Sequence, residues 1–165
     1  MTGHTEQRLR ERGIALPDQC TPRGNFLPWR REGNLVLLAG QICEWNGAVP
    51  YTGPVIGDGD PGPEGRPFVS LAEGFKAARI CALNLLFHLR DACDGDLDRV
   101  HSVMRLGGFV NCLSGFAQSP AVINGASDLF IDLFGDKGRH ARTAVGVAGL
   151  PANASVEIDA IVAIR

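Results

Sequence analysis

The chain has 165 residues, of which 45% are hydrophobic and 21% are charged, and its formal net charge is -2. This length is enough for one domain with a sizeable hydrophobic core and is short for two. The 16 basic residues face 18 acidic ones, with no basic run beyond Arg30-Arg31. This balance weighs against a nucleic-acid-binding role, because proteins of that class usually carry a basic surface.

The cysteines and the N-terminus indicate the compartment. The spacing of the five cysteines fits neither a zinc site nor a disulfide framework, so we expect free thiols in a reducing environment and no metal site. The N-terminus lacks the apolar run of a signal peptide, and no stretch reaches the roughly 18 apolar residues of a membrane helix. The sequence therefore predicts a cytoplasmic protein without a membrane partner.

The first elements divide the chain into an N-terminal segment, residues 1–24, and a single domain, residues 25–165. Residues 5–12 are charged and favour a surface helix, which Gly13 is placed to end. Pro17 and Pro22 give the residues that follow the character of an extended lead-in rather than of a linker between domains.

A hairpin is predicted at the start of the domain, with strands over residues 25–31 and 34–42 joined by a tight turn at Glu32-Gly33. Gly40 lies near the end of the second strand. It either brings backbone N–H groups close to a ligand or marks a bulge or tight packing.

A further turn and a capping box follow. The Asn46-Gly47 pair is a strong hairpin signal and predicts a third strand over residues 48–55. The next residues are rich in glycine and proline and predict a surface loop. Ser70 and Glu73 then form a capping box, which predicts a long amphipathic helix up to residue 92.

A strand and a second helix complete the middle of the chain. Residues 97–112 alternate as a strand. Ser119-Pro120 is a favourable N-cap and first-turn pair for the second amphipathic helix, and Gly135 is placed to end it.

The last two strands, residues 141–148 and 154–164, are separated by turn residues and are predicted to pair as one antiparallel hairpin. Pairing Ala148 with Ser155 assigns their side chains to two faces. The face predicted to line a cleft or a subunit contact carries Arg142, Ala144, Gly146, Ala148, Ser155, Glu157 and Asp159. The face predicted to pack on helices carries Thr143, Val145, Val147, Val156, Ile158, Ala160 and Val162.

Arg142 and Glu157 are the candidate functional pair on the first face. In this register they stand roughly 13 Å apart along the strands, which leaves space for a small carboxylic acid. Arginine binds a carboxylate through two parallel hydrogen bonds, and a glutamate can hold or deprotonate a water molecule. The alternative is that Arg142 pairs with Asp159 or with a neighbouring chain.

These elements predict an α+β domain of two layers, a mixed six-stranded sheet with two helices on one face. The small and charged residues of the other face cannot fill a core. We therefore expect the sheets of several subunits to close against each other in a cyclic oligomer.

Several short blocks of sequence form a recognisable pattern. They are Ala39-Gly40-Gln41-Ile42, Gly108-Phe109-Val110-Asn111, residues 122–127, residues 141–147, Leu150-Pro151 and Val156-Glu157-Ile158. With this pattern the chain resembles the RidA/YjgF family, and more narrowly its branch labelled endoribonuclease L-PSP or translation initiation inhibitor. The resemblance implies a chorismate-mutase-like fold and a homotrimer with inter-subunit clefts.

The resemblance also implies a reaction that needs no cofactor, the hydrolysis of reactive enamine or imine intermediates such as 2-iminopropanoate to 2-keto acids and ammonia. Arg142 is then expected to bind the carboxylate of the substrate and Glu157 to position the hydrolytic water. The backbone near Gly40 helps to fix the carboxylate, and Asn124 either adds a contact from a neighbouring subunit or is a helix-surface residue.

Three substrate-binding positions depart from the family pattern. Ala39 stands where a serine is common, Phe26 where a tyrosine is usual and Ala144 where a cysteine is frequent, so the implied pocket is more apolar. Two other functions therefore stay open beside the hydrolase. They are a regulatory trimer that binds a carboxylate metabolite without turnover, favoured by the lost hydroxyl groups, and a less favoured endoribonuclease. A mutase reaction rests on analogy of fold alone.

Overall fold

The computed structural model describes residues 3–165. Over these residues the chain forms three α-helices and five strands, joined in places by short 3₁₀ turns. In chain order they are α1 (His4–Glu11), β1 (Trp29–Glu32), β2 (Leu35–Ile42), α2 (Leu71–Ala92), β3 (Val100–Asn111), α3 (Ser119–Phe134), β4 (Ala141–Val147) and β5 (Val156–Ile164). No helix in this part of the chain is both long and apolar enough to cross a membrane.

The strands form one mixed sheet in the order β1-β2-β5-β3-β4. The strands β3 and β4 are parallel, and the other neighbours are antiparallel. Helix α2 packs over β2 and β5, and α3 packs over β3 and β4, so both long helices cover the same face. Along β5 every second side chain, from Val156 to Ile164, is buried under these helices. The predicted two-layer α+β fold with two helices on one face is confirmed.

The ends of α2 and α3 lie close to where the sequence predicts them. The Ser70 hydroxyl accepts the Glu73 N–H at 3.2 Å, and the Glu73 carboxylate accepts the Ser70 N–H at 2.8 Å, so the predicted capping box starts α2. Helix α3 begins at Ser119, with Gln118 as its N-cap, one residue earlier than predicted. Gly135 ends α3 with a φ of 61°.

Helix α1 is present as predicted, but it is not only a surface helix. Its residues Thr5 and Leu9 are buried. The Asp98 carboxylate accepts the N–H of Thr5 at 2.9 Å and its hydroxyl at 2.7 Å, and Arg8 donates to the Leu133 carbonyl oxygen at 2.6 Å. These bonds hold α1 against the start of β3 and the end of α3.

The prediction of six strands is wrong by one. The Asn46-Gly47 turn does form, with both residues at positive φ, but residues 48–55 make isolated bridges instead of a strand. The physical reason is that Pro50 and Pro54 lack the N–H group that a strand ladder needs.

The predicted C-terminal hairpin is also wrong, because β3 lies between β4 and β5. Strand β4 pairs in parallel with one edge of β3, and β5 pairs antiparallel with the other edge. The connection over residues 148–155 crosses the end of β3 and spans two strand spacings of about 4.8 Å. Within it Ala152 and Asn153 both have positive φ, which turns the chain back toward the sheet. Turn residues favour adjacent pairing but carry no information on a strand inserted from elsewhere.

The inserted strand changes which side chains share a face. Leu106, which is buried under the helices, pairs with Arg142, whereas Phe109 pairs with both Val145 and Glu157. Paired residues point to the same face, and residues three apart in a strand point to opposite faces. Arg142 therefore lies on the helix-covered face and Glu157 on the open face, so the prediction that they share one face is wrong.

At Gly125 the backbones of α2 and α3 approach each other closely. A Cβ at this position would overlap the carbonyl oxygen of Phe75 and lie 3.2 Å from the backbone nitrogen of Arg79. Because these neighbours belong to the backbone of α2, they cannot move aside as the end of a side chain can.

We predict that Gly125→Ala lowers the free energy of unfolding by about 1–3 kcal/mol, because the added methyl group overpacks the helix contact. The sign is informative, since alanine would otherwise stabilise a helix interior by about 1 kcal/mol. Urea unfolding measures the effect through the transition midpoint. Gly149→Ala is the matched control, because its Cβ would meet no atom within 4 Å. Equal stability of the two variants would contradict the prediction.

Candidate functional site

A cavity of about 150 Å³ opens where β2 ends beside β5. Its walls come from the lead-in before β1, the end of β2, α2 and the segment before β5. Three of the predicted site residues, Phe26, Gly40 and Glu157, lie together in these walls.

A bulge in β2 makes room for the Glu157 carboxylate. The pairing of β2 with β5 shifts between Leu38 and Gln41, so Ala39 and Gly40 form the bulge. The Glu157 carboxylate occupies the place that a Cβ on Gly40 would take. The bulge interpretation of Gly40 is thereby confirmed, and the absence of a side chain there is what admits the carboxylate.

The outer wall of the cavity is fixed by polar side chains. The Asn46 side chain accepts the N–H of Asp18 at 2.8 Å and donates to the Asp18 carboxylate at 2.9 Å, which holds the lead-in beside the sheet. Arg23, in the same lead-in, donates from Nε to the Glu44 carboxylate at 2.6 Å. The charge of Glu44 is therefore compensated within the wall.

Glu157 differs from the neighbouring acids because its charge is not compensated. Burial raises the pKa of Glu157, and the carboxylate of Asp159 raises it further. Asp159 itself is paired with Arg105 at 2.8 Å. Within residues 3–165 the Glu157 carboxylate makes no ion pair. A half-buried carboxyl group whose pKa is raised is a better proton acceptor than an exposed one, which suits it to acid–base chemistry.

The Cys20 thiol lines the same cavity and donates to the Gln41 side-chain oxygen at 3.1 Å. Burial, and then the negative charge of Glu44, raise the pKa of Cys20 to about 11. All five cysteines of the sequence are free, as predicted. Because a protonated thiol is a weak nucleophile and a poor metal ligand, we assign Cys20 no reactive role.

Arg142 lies in a second cluster, on the edge strand β4 against α3. Its Nη1 donates to Asn124 Oδ1 at 2.8 Å and to Ser127 Oγ at 3.0 Å, and its Nη2 donates to the Pro120 carbonyl oxygen at 3.2 Å. The alternative pairing with Asp159 is wrong, since no acidic side chain of residues 3–165 lies within 4.0 Å of the guanidinium. Of its five N–H donors, the one on Nε and one on Nη2 have no acceptor among these residues.

His140 joins this second cluster just before β4. Its Nε2 lies 2.9 Å from Ser127 Oγ, and its Nδ1 lies 2.6 Å from the Gly138 carbonyl oxygen. Burial lowers the pKa of His140, and the positive charge of Arg142 lowers it further, while the bond to Gly138 acts in the opposite direction. The imidazole is therefore neutral at neutral pH.

The predicted site residues thus fall into two groups. Ala144 lies on the same face of β4 as Arg142, half-buried against the core. Asn124 is exposed on α3, as the helix-surface interpretation has it, and also binds Arg142. The first group contains Phe26, Gly40 and Glu157, with Ala39 beside them in the bulge. The second contains Arg142, Asn124 and Ala144.

Sequence reasoning missed Ser127 and His140. Ser127 ends one of the blocks that carry the family resemblance, and His140 directly precedes the β4 block. Nothing in the 13-residue separation indicates that they touch, because their contact depends on β4 packing against α3.

One further group of acids has ligand-type geometry. Oxygen atoms of Glu6, Asp96 and Asp98 lie within 4.8 Å of one another. Each carboxylate already accepts a backbone N–H. Glu6 accepts that of Leu97 at 2.8 Å, Asp96 that of Asp98 at 2.9 Å, and Asp98 that of Thr5 at 2.9 Å. These caps of α1 and of the turn before β3 explain why the three acids are close.

Comparisons with known proteins agree with the fold. The chain is 38% identical to Protein TCP17 of Trypanosoma cruzi over 162 residues, which cover 98% of this chain and 94% of that protein. It is 42% identical to Atu1372 from Agrobacterium tumefaciens, a protein of unknown function. The crystal structure of that protein matches with a TM-score of 0.84 and coverage of 98% of this chain and 92% of that one. RidA from Psychrobacter sp. PAMC 21119 is 23% identical, with a TM-score of 0.54 and coverage of 90% and 94%, which supports the fold alone.

The match to a family model covers most of the chain. This model, described as "YjgF/chorismate_mutase-like, putative endoribonuclease", matches residues 6–162. Together with the two-layer fold and the sequence blocks around Arg142 and Glu157, the match identifies the chain as a member of the RidA/YjgF family.

Proposed function

We propose that this protein hydrolyses small enamine or imine acids without a cofactor, as a homotrimer whose sites lie between subunits. The observation that carries the proposal is the environment of Arg142. Its guanidinium is held by three neutral oxygen acceptors, and two N–H donors have no acceptor within residues 3–165. A fixed cation with free donors favours a carboxylate ligand, which arginine binds through two hydrogen bonds.

The cavity supplies the complementary group. Glu157 is half-buried, carries a raised pKa and is free of ion pairs within the described chain. Such a carboxylate can take a proton from water as the oxygen attacks an imine carbon, and can return the proton to the leaving nitrogen. Attack forms a C–O bond, and loss of ammonia then breaks the C–N bond and leaves a 2-keto acid. An imine carbon is already electrophilic, so positioning is the main task of the protein.

The placement of the two groups supports a site shared between subunits. Arg142 belongs to the helix-covered face at the β4 edge, and Glu157 belongs to the open face. One subunit therefore does not bring them to the same substrate. The open face also carries Leu35, Leu37 and Val145, which are 41%, 48% and 41% exposed. Apolar side chains at this density favour contact with another subunit.

A regulatory trimer that binds a carboxylate without turnover is the second candidate. The absence of hydroxyl groups at Phe26 and Ala39 favours it, because these side chains offer a substrate no hydrogen bond. Calorimetry that detects binding of a small keto acid, together with no hydrolysis, would select this candidate.

Endoribonuclease activity is the third candidate, and it comes from the family description. The net charge of -2 weighs against it. Cleavage of RNA that survives repeated purification and the Arg142→Ala substitution would favour it over both proposals above.

We predict that Arg142→Ala lowers kcat/KM for imine hydrolysis by roughly 10²-fold or more, because the substrate loses its anchor. A PLP-dependent dehydratase generates 2-aminoacrylate, and release of the keto acid is followed with and without the protein. Arg139→Ala is the matched control, since Arg139 is exposed and pairs only with Asp136 nearby in sequence. No acceleration by the wild type, or equal acceleration by Arg142→Ala, would reject the hydrolase.

We also predict that two inactive variants restore activity when their subunits are mixed. In random trimers of Arg142→Ala and Glu157→Gln chains, about a quarter of the interfaces combine an intact Arg142 with an intact Glu157 from the next subunit. Co-refolding equal amounts of the two chains should therefore recover about that fraction of wild-type activity. Recovery no greater than that of either variant alone would show that the site is not shared.

The raised pKa of Glu157 predicts an effect on stability. Between the reference value of 4.5 and the higher pKa of the folded state, the folded protein binds more protons than the unfolded chain, so its stability falls as pH rises through this window. We expect Glu157→Gln to have a higher Tm than wild type at neutral pH, and a difference that shrinks toward zero below pH 4.5. Thermal unfolding across pH measures it, with exposed Glu64→Gln as the control. A constant difference across pH would contradict this assignment.

A further inference from the structure

A continuous chain of hydrogen bonds leads from the backbone to the guanidinium of Arg142. It begins at the Gly138 carbonyl oxygen, which lies 2.6 Å from Nδ1 of His140. It continues from Nε2 of His140 to Ser127 Oγ at 2.9 Å, and from Ser127 Oγ to Nη1 of Arg142 at 3.0 Å. Ser127 is buried on α3, so its hydroxyl has few other partners.

The donor and the acceptor of each hydrogen bond follow from the groups at the two ends, the Gly138 carbonyl oxygen and the Arg142 guanidinium. A carbonyl oxygen only accepts, so Nδ1 of His140 carries the proton, and in a neutral ring Nε2 is then an acceptor. The Ser127 hydroxyl must therefore donate its proton to Nε2. Its lone pairs are left facing Arg142, whose N–H groups only donate. Every member of the chain has one compatible orientation.

We propose that His140 is a positioning residue for the carboxylate site, acting through Ser127 to hold the Arg142 guanidinium in its binding orientation. This inference rests on the proposed function of Arg142. Without an acceptor on residue 140, the Ser127 hydroxyl is free to turn its proton toward Arg142, where two donors would face each other. The guanidinium would then lose one of its fixed contacts and explore more rotamers, and ordering it again on binding would weaken affinity.

The test compares variants that keep or remove each bond. His140→Gln retains an acceptor near the position of Nε2, and His140→Phe removes it. Ser127→Thr retains the hydroxyl, and Ser127→Ala removes it. Binding of pyruvate is measured by calorimetry, and kcat and KM are measured for 2-aminoacrylate-derived imine. Exposed His4→Phe and Ser114→Ala serve as matched controls, and circular dichroism checks the fold.

We expect His140→Phe and Ser127→Ala each to raise the Kd for pyruvate and the KM about tenfold, with kcat changed much less, because the lost bond orients a charged group. His140→Gln and Ser127→Thr should stay within about twofold of wild type. The double variant His140→Phe/Ser127→Ala should bind pyruvate no more weakly than either single variant, because both changes break the same series of hydrogen bonds. Nitrogen-15 chemical shifts of the imidazole should report the tautomer protonated on Nδ1.

The outcomes separate this inference from the proposed function. If Arg142→Ala binds pyruvate as wild type does, the carboxylate site and the role of His140 are both overturned. If Arg142→Ala loses binding while Ser127→Ala and His140→Phe keep it, only the positioning role is overturned. A Gln variant as weak as the Phe variant, or an Nε2-protonated ring, also overturns it. Ser127→Ala removes a single hydroxyl, so the comparison remains decisive if His140→Phe does not fold.

Discussion

The position of β3 between β4 and β5 decides where the charged groups of the C-terminal segment lie. The same strand sets the face of its partners on both sides, through Leu106 for Arg142 and through Phe109 for Glu157. Burial of Leu106 under the helices fixes the register, since a slip of one residue would bring the opposite set of side chains inward. The geometry of the site therefore depends on backbone pairing before it depends on any functional side chain.

The environments of the charged groups separate those that hold the fold from those available to a ligand. Asp159 on β5 is paired with Arg105 on β3, so this pair contributes to cross-strand contacts on the open face. Two residues away, Glu157 has no cationic partner among residues 3–165, and burial together with the charge of Asp159 disfavours its charged form and raises its pKa. Arg142 is fixed in place by neutral oxygens, which orient a charge without cancelling it.

Local features of the chain could be predicted from sequence, and long-range pairing could not. The capping box at Ser70 and the glycine that ends α3 depend on neighbouring residues alone, and both are found where the sequence indicates them. The pairing of β4 with β3 brings together segments about 36 residues apart, which no turn signal reports. Residue type and local sequence are enough to identify Arg142 and Glu157 as candidates. Their assignment to one face is wrong because it depends on the long-range pairing of β3 with β4 and β5. The contact of His140 with Ser127 depends on the same packing.

The thiol in the cavity wall has a consequence for the chemistry that the cavity could accommodate. An electrophilic imine carbon is open to attack by a thiolate, whereas a protonated thiol is a much weaker nucleophile. Cys20 keeps its proton well above neutral pH, because burial and Glu44 both oppose ionisation. The wall of the cavity therefore presents no thiolate to an electrophilic ligand at neutral pH.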